Sequence, residues 1–580
     1  MALLSWRALV ALPLVLLGLA ACSPSAPAIE DVSPHKGDGG VAGDAPIKVT
    51  FDRPMERQSV SERLLIEPAL QGCTPSVCPI TWVDRTLVLS HPKNEFRADT
   101  KYTVHIKPGY RDSVGRENTI EHMWEFRTET APTLQSSNPS ADAKGVGPDV
   151  DITLQFSRPM RTPTLEQLQL IDLASETSPA VPYRVSLDPG DQSRVVVAPV
   201  HLLRSRHRYR IVLTSDFQDT RHNNLTRALT LNFTTGDADL SRSLAFSVLD
   251  GGGGTGSRIA VLRPPATLGA PAPTLRVVHD STTPITDFDW SFDARHLYAL
   301  ENSPSQLVRI DLGTGAAESL GIQATTMAVS PTRDEVAYVA TDQSLHLWAP
   351  AAVAGAAPTD LRVTEAAVQA GPPSWSGDGR RLALVIEAPD GPGLAILDRA
   401  TLSRFVVPGV RLAVSGPEGQ PRWSFDGAAV AFERDAADGP EVWTFRPLAA
   451  QGPGLTRIGR LSSAQLAWSS EGSTLYATGN ASASLPRLLQ RAAAQPVEGQ
   501  LGGFAALRAS VPGDDMAATP TFDRRIAFVR TTGGVPQLWL INGDGSGLSQ
   551  LTFAKYDIVD KLPLFGAAVP RWAPAGAATP

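Results

Sequence analysis

Nucleophiles, histidines and carboxylates all occur in this sequence, but none of them has the spacing of a catalytic site. The run Gly543-Asp544-Gly545-Ser546-Gly547 has its residues in the wrong order for a strand-to-helix nucleophile turn. The ten histidines are scattered, without a His-Glu-x-x-His pair or other metal-ligand spacing. No Gly-Lys-Ser or Gly-Lys-Thr follows the glycines at 251–254, which excludes a phosphate loop. The sequence therefore predicts no catalytic residue, no metal site, no cofactor and no enzymatic activity.

Carboxylates are the one set of residues that leaves an enzymatic alternative open. Asp293, Asp378 and Asp426 stand in turns that recur through the second half of the chain. Two carboxylates that face each other across a cavity can serve glycosidase or lyase chemistry. A turn aspartate more often accepts hydrogen bonds from its own backbone. We favour the structural role, and a cluster of inward-facing carboxylates or histidines would favour the enzyme.

The first of the three cysteines follows a short apolar segment. Arg7 precedes an apolar run over residues 8–21, which is too short to be a convincing membrane-spanning helix. The run ends in Leu19-Ala20-Ala21-Cys22, which resembles the lipobox of bacterial lipoproteins. This resemblance implies that residues 1–21 are a signal peptide and that Cys22 carries the lipid. A plain secretory signal cleaved nearby is the alternative.

The lipobox resemblance also implies a location. The protein would be anchored in the cell envelope, on the extracytoplasmic side of a membrane, by acyl chains that each contribute about 0.8 kcal/mol per buried methylene. Ser23 and not aspartate follows Cys22, and the family's sorting rule then favours the outer membrane where the host has one, and otherwise the cell membrane. Residues 22–45, rich in Pro, Gly, Ala and Asp, are predicted to form the lipidated tether.

With Cys22 assigned to lipid, Cys73 and Cys78 are left in a turn-rich stretch. An exported protein lies in an oxidising compartment, where such a pair favours a disulfide. A zinc site would need further ligands nearby, and the sequence offers none. The pair is therefore predicted to form a disulfide worth about 2 kcal/mol.

The segment between the tether and residue 237 contains a tandem duplication. The strand-like stretches at 46–55, 101–106 and 124–128 recur at 151–160, 208–213 and 231–235. The offset is 105 residues for the first pair and 107 for the other two. Nearly constant offsets predict two β-sandwich domains, at residues 46–130 and 131–237.

The opening strand with Phe-x-x-Pro-Met, the tyrosine strand and the closing Phe-x-Thr strand resemble SbsA-type bacterial Ig-like domains. That family is a structural and adhesive module, so the resemblance implies no catalytic residues. The turns at Asp112 and Asp219 stand where the family has an Asp-x-x-Gly-Asn turn, and both can bind their own backbone. A calcium site there is the alternative, although few carboxylates converge in sequence.

A different unit repeats through the second half of the chain. Its clearest copy is Pro421-Arg422-Trp423-Ser424-Phe425-Asp426-Gly427, followed by an apolar strand. Copies open at Trp290, Val329, Trp375, Trp423, Trp468, Phe522 and Trp572, at spacings of 39 to 54 residues. Trp suits the packed surface between sheets, and Asp-Gly suits a tight hairpin. This period predicts propeller blades; a β-sandwich with similar turns is the alternative.

The repeat resembles the TolB-like and WD-repeat-like propellers over residues 243–576. The fold class is then all-β: two tandem Ig-like sandwiches followed by a propeller. Trp572 opens a blade that almost no chain remains to complete, whereas strands near 244–249, 258–262 and 275–278 lack an opening motif. One composite blade would join the two ends and remove two open sheet edges. Six other openings then predict seven blades.

The overall charge limits which classes of partner the sequence predicts. Lys and Arg number 52 against 59 Asp and Glu, a net charge of −7, and no dense basic stripe suggests nucleic acid. The basic run at 204–210 alternates like a solvated strand face. We expect a non-enzymatic binding or scaffold protein, whose membrane contact is the lipid and whose propeller binds a protein or glycan partner. An enzyme acting on envelope or extracellular carbohydrate or peptide is the alternative.

Overall fold

A computed structural model gives the fold for most of the chain, and the following is restricted to the residues it describes. These are residues 25–92, 95–162, 167–174, 180–249, 256–266, 275–301, 305–353, 355–364, 371–413, 419–447, 454–480, 487–495, 503–507, 514–521, 523–532, 534–553 and 566–574. Cys22, the predicted lipidation site, and the signal segment 1–21 lie outside them. Within these ranges no helix has the length and apolarity needed to cross a bilayer.

The first folded unit is a sandwich of two β-sheets with one short helix, α1 (Arg57–Ser61). Its strands are β1 (Ile29–Ser33), β2 (Ile47–Phe51), β3 (Leu64–Glu67), β4 (Ile80–Val83), β5 (Thr86–Leu89), β6 (Lys101–Ile106) and β7 (His122–Arg127). One sheet has the order β1-β2-β5-β4 and the other β3-β6-β7. Alternate side chains such as Val49 and Val104 fill the space between the sheets, as strand periodicity requires.

Strand β1 corrects the predicted start of this sandwich. The sequence predicts that residues 29–33 belong to the tether, but they pair antiparallel with β2, with Val32 opposite Val49. Pro, Gly and Asp residues surround this five-residue strand, so the composition of the segment resembles that of a linker. Asn118 Nδ2 also donates to the Pro27 carbonyl at 2.7 Å, which fastens the segment before the strand.

The second sandwich repeats the first. Its strands are β8 (Leu134–Asn138), β9 (Ala143–Val146), β10 (Ile152–Phe156), β11 (Leu168–Asp172), β12 (Tyr183–Asp188), β13 (Asp191–Pro199), β14 (Arg208–Leu213) and β15 (Leu229–Thr235). They form sheets β12-β13-β10-β8 and β11-β14-β15-β9. The hydroxyl of Tyr102 accepts a hydrogen bond from the Arg97 N–H, and that of Tyr209 accepts one from the Arg204 N–H. The duplication therefore extends to matching hydrogen bonds.

Cys73 and Cys78 form the predicted disulfide, with α-carbons 5.1 Å apart. It closes the loop between β3 and β4 of the first sandwich. Cys78 is buried and packs on the sandwich core, whereas Cys73 is half-buried at its margin. The bridge therefore fastens an otherwise irregular loop to the core.

The remaining strands form a propeller. They are β16 (Leu244–Leu249), β17 (Arg258–Leu262), β18 (Leu275–Asp280), β19 (Ile285–Trp290), β20 (His296–Glu301), β21 (Gln306–Asp311), β22 (Ala317–Val329), β23 (Val336–Ala340), β24 (Leu345–Ala349), β25 (Thr359–Thr364), β26 (Ser374–Trp375), β27 (Arg381–Ala388), β28 (Gly391–Asp398), β29 (Arg404–Val406), β30 (Arg422–Trp423), β31 (Val430–Arg434), β32 (Glu441–Arg446), β33 (Gly454–Arg460), β34 (Ser462–Trp468), β35 (Thr474–Asn480), β36 (Leu488–Ala493), β37 (Ala505–Ala506), β38 (Asp514–Pro520), β39 (Arg525–Thr532), β40 (Val535–Asn542), β41 (Ser549–Gln550) and β42 (Gly566–Trp572).

These strands make seven blades, as the repeat predicts. Blade 1 is composite, in the order β42-β16-β17-β18. The first part of β22 pairs with β21 as the outer strand of blade 2, and its last part pairs with β23 as the inner strand of blade 3. Blades 4 to 7 are β26 to β29, β30 to β33, β34 to β37, and β38 to β41. The predicted composite closure is confirmed.

The repeated turn is held by its own side chains. The Ser376 hydroxyl donates to Asp378 Oδ1 at 2.6 Å and accepts the Arg381 N–H at 2.9 Å. Gly379, next in the turn, has a φ of +65°, which glycine adopts without strain. Ser291 with Asp293, and Ser424 with Asp426, repeat the arrangement. The turn aspartates therefore have the structural role that the sequence analysis favoured.

The motif tryptophans pack between neighbouring blades, and four of them also form a hydrogen bond to the preceding blade. Trp375 and Trp468 are buried in the apolar layers between sheets. Four indoles donate to a carbonyl on the inner strand of the preceding blade: Trp290 to Arg571 at 3.0 Å, Trp375 to Ala328 at 3.1 Å, Trp468 to Arg422 at 2.8 Å and Trp572 to Thr519 at 2.7 Å. Blade spacing is thus fixed at the inner strands, which line the central channel.

The second sandwich is joined to blade 1 through buried contacts. His201 forms a parallel bridge with Val277, on the outer strand β18. Buried Arg276 donates through Nη2 to the Val150 carbonyl at 2.8 Å and to Asp151 Oδ1 at 2.5 Å. These residues of the second sandwich therefore cover the outer edge of the composite blade and attach the sandwich to the propeller.

Candidate functional site

The inner strands of the seven blades surround a channel that collects four charged side chains. The inner-strand residues that line it are Asp289, Ala328, Arg422, Ala467, Thr519 and Arg571, and all of these except Thr519 stand just before a repeated motif. A second layer lies two residues earlier and consists of Asp287, Pro372, Gln420, Gln465, Ala517 and Val569. The charged members sum to zero formal charge when all are ionised. The channel is therefore polar but charge-balanced.

Asp287 and Arg571 form an ion pair between the composite blade and blade 2. Arg571 Nη2 lies 3.3 Å from Asp287 Oδ1, and both side chains are about one quarter to one third exposed to the channel. Asp287 Oδ1 also accepts the N–H of Phe288 at 2.9 Å. The strand that closes the ring therefore supplies one side of this pair, and the site depends on closure.

Asp289 lies on the same face of β19 as Asp287 but has no ion pair within the described residues. Its Oδ1 accepts the N–H of Trp290 at 2.9 Å. Burial raises the pKa of Asp289 to about 6, against the opposing effect of the positive charge on Arg571. The residue is not fully buried, yet protein surrounds it on most sides. A carboxyl of this kind changes charge near neutral pH.

Arg422 is the second unusual group. Burial, followed by repulsion from Arg571, lowers the pKa of the Arg422 guanidinium to about 10, while Asp287 and Asp289 act in the opposite direction. The group stays charged at neutral pH. Throughout the part of the chain that the structure describes, no side chain or carbonyl forms a hydrogen bond or ion pair with this guanidinium. Its donors are therefore available to channel water or to a ligand.

The channel has a volume of about 470 Å³ and adjoins a mouth cavity of about 950 Å³. Asp289, Arg571, Phe425, Thr519 and Pro520 line both. The mouth is also lined by residues from the third position of the repeated turn: Phe292, Pro331, Gly377, Phe425, Ser470 and Pro574. The predicted opening residue Phe522 falls outside the described residues. The mouth cavity therefore has apolar side chains at its outer edge and the charged side chains of the channel beneath them.

Phe425 is the most prominent apolar group of the mouth, with 45% of its surface exposed. The main chain at Phe425 lies directly over Gly377 of the preceding blade. A Cβ on Gly377 would stand 1.8 Å from the Phe425 carbonyl oxygen. Glycine at 377 therefore permits the close approach that places Phe425 at the rim.

The mouth opens on the side of the ring where the second sandwich attaches. Arg242, in the connection between the two, lines the mouth cavity. The N–H of Ser205, in the sandwich, donates to the Gly313 carbonyl at 2.8 Å, and Gly313 lies in a loop that borders the turn at Arg295. A molecule bound at the mouth would therefore lie near the second sandwich.

The residues singled out from sequence lie elsewhere. The Cys73–Cys78 disulfide is in the first sandwich, and Asp293, Asp378 and Asp426 hold blade turns. Asp112 Oδ1 accepts the N–H groups of Val114 and Arg116, and Asp219 Oδ1 those of Arg221 and Asn223. Both aspartates therefore bind their own turns, as the first interpretation expected. Among the described residues no three His, Cys, Asp or Glu side chains are grouped as a metal site would require.

The basic run at 204–210 is distributed over the second sandwich. Arg206 forms an exposed ion pair with Asp237 at 2.7 Å. Arg210 donates to the Asn232 side chain at 2.9 Å. These contacts lie on strand faces and at the sandwich edge, in keeping with the solvated-face interpretation.

Sequence reasoning did not identify the channel charges. Asp287, Asp289, Arg422 and Arg571 precede motif tryptophans by one or three positions, and they are spread over three different repeats. A signal was present, since charge at a position that faces the ring centre is costly unless it is paired or functional. Comparing the residue types one and three positions before the tryptophan across the copies would have revealed these charges.

Solved structures with similar folds include TolB from Acinetobacter baumannii, at 12% identity over 76% of this chain and 99% of that chain, with a TM-score of 0.36. Oligogalacturonate lyase from Vibrio parahaemolyticus is 13% identical over 58% of this chain and 91% of that chain, with a TM-score of 0.36. Hydrazine synthase from Kuenenia stuttgartiensis is 12% identical over 44% and 76%, with a TM-score of 0.33. The propeller itself is established by the strand pairing described above.

A search of curated protein sequences found no match. The family model of the bacterial Ig-like domain matches twice, at residues 23–128 and 129–235. The first match begins before β1, in agreement with the earlier start of the first sandwich. The all-β chain thus carries two bacterial Ig-like domains ahead of its seven-bladed propeller.

Proposed function

We propose that this protein is a lipid-anchored, non-enzymatic binding or scaffold protein of the cell envelope. Cys22 holds it on the extracytoplasmic side, in the outer membrane where the host has one and otherwise in the cell membrane. The two Ig-like domains form a stalk, and the propeller binds a protein or glycan partner at its mouth. Its membrane contact is the lipid, and nucleic acid is not a partner.

The observation that carries this proposal is the exposed aromatic rim of the mouth cavity. Phe425 has almost half of its surface exposed beside a cavity of about 950 Å³. Exposed aromatic groups that border a concave, partly charged surface are typical of interaction sites, since they gain most from burial by a partner. The contacts of buried Arg276 support the stalk role, because they join the second sandwich directly to the propeller.

The test uses the full-length protein and two matched substitutions. Phe425→Glu introduces a charge at the mouth, whereas Phe405→Glu introduces one on outer strand β29, where Phe405 is 46% exposed. Cells that express each variant are cross-linked mildly, and partners are recovered from solubilised membranes. We expect the mouth substitution to remove a partner that wild type and Phe405→Glu both retain.

Retention of the same partners by Phe425→Glu, with a normal melting profile, would contradict a binding site at the mouth. Loss of partners only after substitution on the sandwich surface would assign binding to the stalk. Because Ser205 and Arg242 place the second sandwich beside the mouth, a substitution at Arg206 serves as the stalk comparison. That arginine is 77% exposed and paired only with Asp237 in the described structure.

A second candidate function, an enzyme acting on carbohydrate or peptide, is favoured by one specific observation. Asp287 and Asp289 are inward-facing carboxylates on one strand, and the pKa of Asp289, at about 6, suits a general acid. Against this, Asp287 is already paired with Arg571. In this reading Asp289 would donate a proton to the leaving group, and Asp287 would stabilise developing positive charge.

Turnover decides between the two candidates. Purified protein is incubated with envelope polysaccharides and with peptides, and new reducing ends or new amino groups are counted. Activity that Asp289→Asn abolishes while Asp390→Asn, at an exposed turn, retains it would establish the enzyme and displace the binding proposal. Stoichiometric binding without turnover is the result expected for a binding protein.

A further inference from the structure

We propose that the propeller channel binds a ligand with a single carboxylate, held by Arg422, whose apolar body lies against the aromatic mouth. This inference rests on the proposed binding function and names the chemistry that the same site recognises. The carboxylate belongs either to a small organic acid or to the free C-terminal end of a polypeptide. The shared chemistry is a monoanion next to an apolar group.

The unpaired guanidinium is the first step of the argument. Arg422 stands in the channel wall with no hydrogen bond or ion pair to its side chain anywhere in the described residues, although Asp287, Asp289 and Arg571 are near enough to act on its charge. A charged group in this setting normally has a partner, because burial without one is costly. The five donors of a guanidinium form a planar fork that matches a carboxylate.

Charge balance is the second step, and it selects a monoanion. Arg571 is already paired with Asp287 at 3.3 Å, so among the four charges described in the channel Arg422 is the cation that remains for a ligand. Asp289 faces the same space and repels a second negative charge. A dianion such as phosphate would leave an excess of negative charge in a partly dry channel, whereas one carboxylate would leave at most a single excess charge. Protonation of Asp289, whose pKa is about 6, removes that excess.

The connection between channel and mouth is the third step. Phe425, Asp289 and Arg571 line both cavities, so a ligand with its carboxylate at Arg422 extends past these residues toward the rim. There it meets the exposed ring of Phe425, together with Phe292 and Trp572. An apolar group placed against these rings loses water-exposed surface, which favours binding. The site therefore fits a carboxylate that carries an apolar body.

The experiment titrates full-length protein by calorimetry with four probes. These are 3-phenylpropionate, N-acetyl-Ala-Phe with a free carboxylate, the same peptide as its amide, and inorganic phosphate. Arg422→Gln removes the charge, and Arg422→Lys keeps the charge but removes the fork. Arg380→Gln is the matched control, because Arg380 is 79% exposed in the turn of blade 4. Circular dichroism and melting confirm that each variant is folded.

We expect at least one free carboxylate to bind wild type and Arg380→Gln equally, and the amide and phosphate to bind much more weakly. Arg422→Gln should weaken binding about tenfold or more, the usual effect of losing a charge-assisted hydrogen bond. Arg422→Lys should give an intermediate loss. Binding of 3-phenylpropionate identifies the small acid as sufficient, and binding of the peptide acid alone identifies a chain end.

Equal binding of acid and amide, binding of phosphate as tight as that of the carboxylate, or an unchanged affinity in folded Arg422→Gln would overturn the inference. So would an equal loss in Arg380→Gln. These outcomes are separate from the partner experiment at Phe425. If Phe425→Glu loses its partner while no carboxylate binds, the proposed function stands and only the carboxylate assignment fails. If partner capture survives Phe425→Glu, the proposed function fails whatever the probes do.

Discussion

Leu244 and Trp572 lie opposite each other in one antiparallel strand pair, although 328 positions separate them in the chain. The pairing continues through Ala245 with Arg571 and Leu249 with Gly566. The indole of Trp572 also donates to the Thr519 carbonyl of blade 7 at 2.7 Å. Strand β42 therefore stabilises both the composite blade and the interface between that blade and blade 7.

Deletion of residues 566–580 should open the ring. Without β42, strand β16 loses its inner partner, and two sheet edges become exposed to water and to other chains. We expect a lower melting temperature, loss of a single cooperative propeller transition in calorimetry, and faster proteolysis between residues 244 and 572. Channel residue Arg571 is also lost.

Deletion of residues 575–580 is the control for the closing strand, because it retains β42 through Pro574. This shorter deletion should melt like wild type. If the longer deletion also melts like wild type and remains monomeric, the strand pairing does not stabilise the ring.

The blade count and the closure could be predicted because their signals are local. Ser376, Asp378 and Gly379 hold their turn by contacts within a few residues, so the same residue types recur wherever a blade begins. Tryptophan recurs at the position of Trp375 for a similar reason, since each blade packs on the one before it. Strand alternation and the tandem offset likewise revealed the two sandwiches.

The channel and the sandwich boundary depend on contacts that sequence patterns do not show. Asp287 and Arg571 are 284 residues apart, and each looks like an ordinary polar strand residue. Only ring closure brings them together. Strand β1 is similar, because Ile29–Ser33 has weak alternation and becomes a strand by pairing with β2.

The Cys73–Cys78 bridge should stabilise the first sandwich. Replacing both cysteines with serine should lower its unfolding free energy by about 2 kcal/mol, since the open chain gains freedom in the unfolded state. Denaturant titration of the first transition measures the loss. In the non-reduced wild type, mass spectrometry should find one peptide that contains both cysteines and is two hydrogens lighter. Two alkylatable thiols in the native exported protein would contradict the bridge.

Arg276 should hold the second sandwich to the propeller. Its guanidinium is buried and bonded to Asp151 Oδ1 and to the carbonyls of Asp149 and Val150. Arg276→Gln should reduce the free energy of the joint by about 2 kcal/mol, because it removes the charge-assisted hydrogen bonds from this buried guanidinium to its partly exposed acceptors. Calorimetry should then separate the sandwich and propeller transitions, and proteases should cut near residues 236–242.

Arg263→Gln is the control for the joint. Arg263 pairs with Asp149 at 3.1 Å, but its side chain is 49% exposed, so its loss should cost about 1 kcal/mol or less. Identical melting curves for Arg276→Gln and wild type would show that the buried contacts do not couple the domains.

Asp289 should make stability depend on pH. Its pKa in the folded protein is about 6, against an ordinary value of 3.8, so the native state holds the proton more tightly than the unfolded state. Stability from this residue is therefore present at low pH and declines as pH rises from about 4 to 6. Asp289→Asn removes the cost of ionising this carboxyl in the folded protein and should be more stable than wild type by about 3 kcal/mol at pH 7.5.

The measurement is the difference in unfolding free energy between wild type and Asp289→Asn across pH 4 to 7.5. The difference should widen up to about pH 6.5 and then level off. Asp390→Asn, at an exposed turn, is the control. A constant difference at every pH would show that ionisation of Asp289 carries no cost in the channel.

Cys22 should carry the membrane anchor. Cys22→Ala should leave an uncleaved precursor or release the protein from membranes, because no acyl chains can be attached. Metabolic labelling with an alkyne fatty acid, combined with membrane fractionation, measures both effects. Cys73→Ala is the control and should keep the label. Unchanged processing and labelling of Cys22→Ala would refute the anchor and support an ordinary secretory signal.

The composite blade also imposes an order on folding. Blades 2 to 7 are built from strands that are close together in the chain, so each can form soon after its own residues are available. Blade 1 instead requires β16 to meet β42, a contact of very long sequence separation, and such contacts form late. The free-energy cost of closing a loop rises by only about 0.6 kcal/mol for each doubling of the loop length. The consequence is kinetic: the folding chain passes through an open arc of preformed blades whose two edges stay exposed until the final strand arrives.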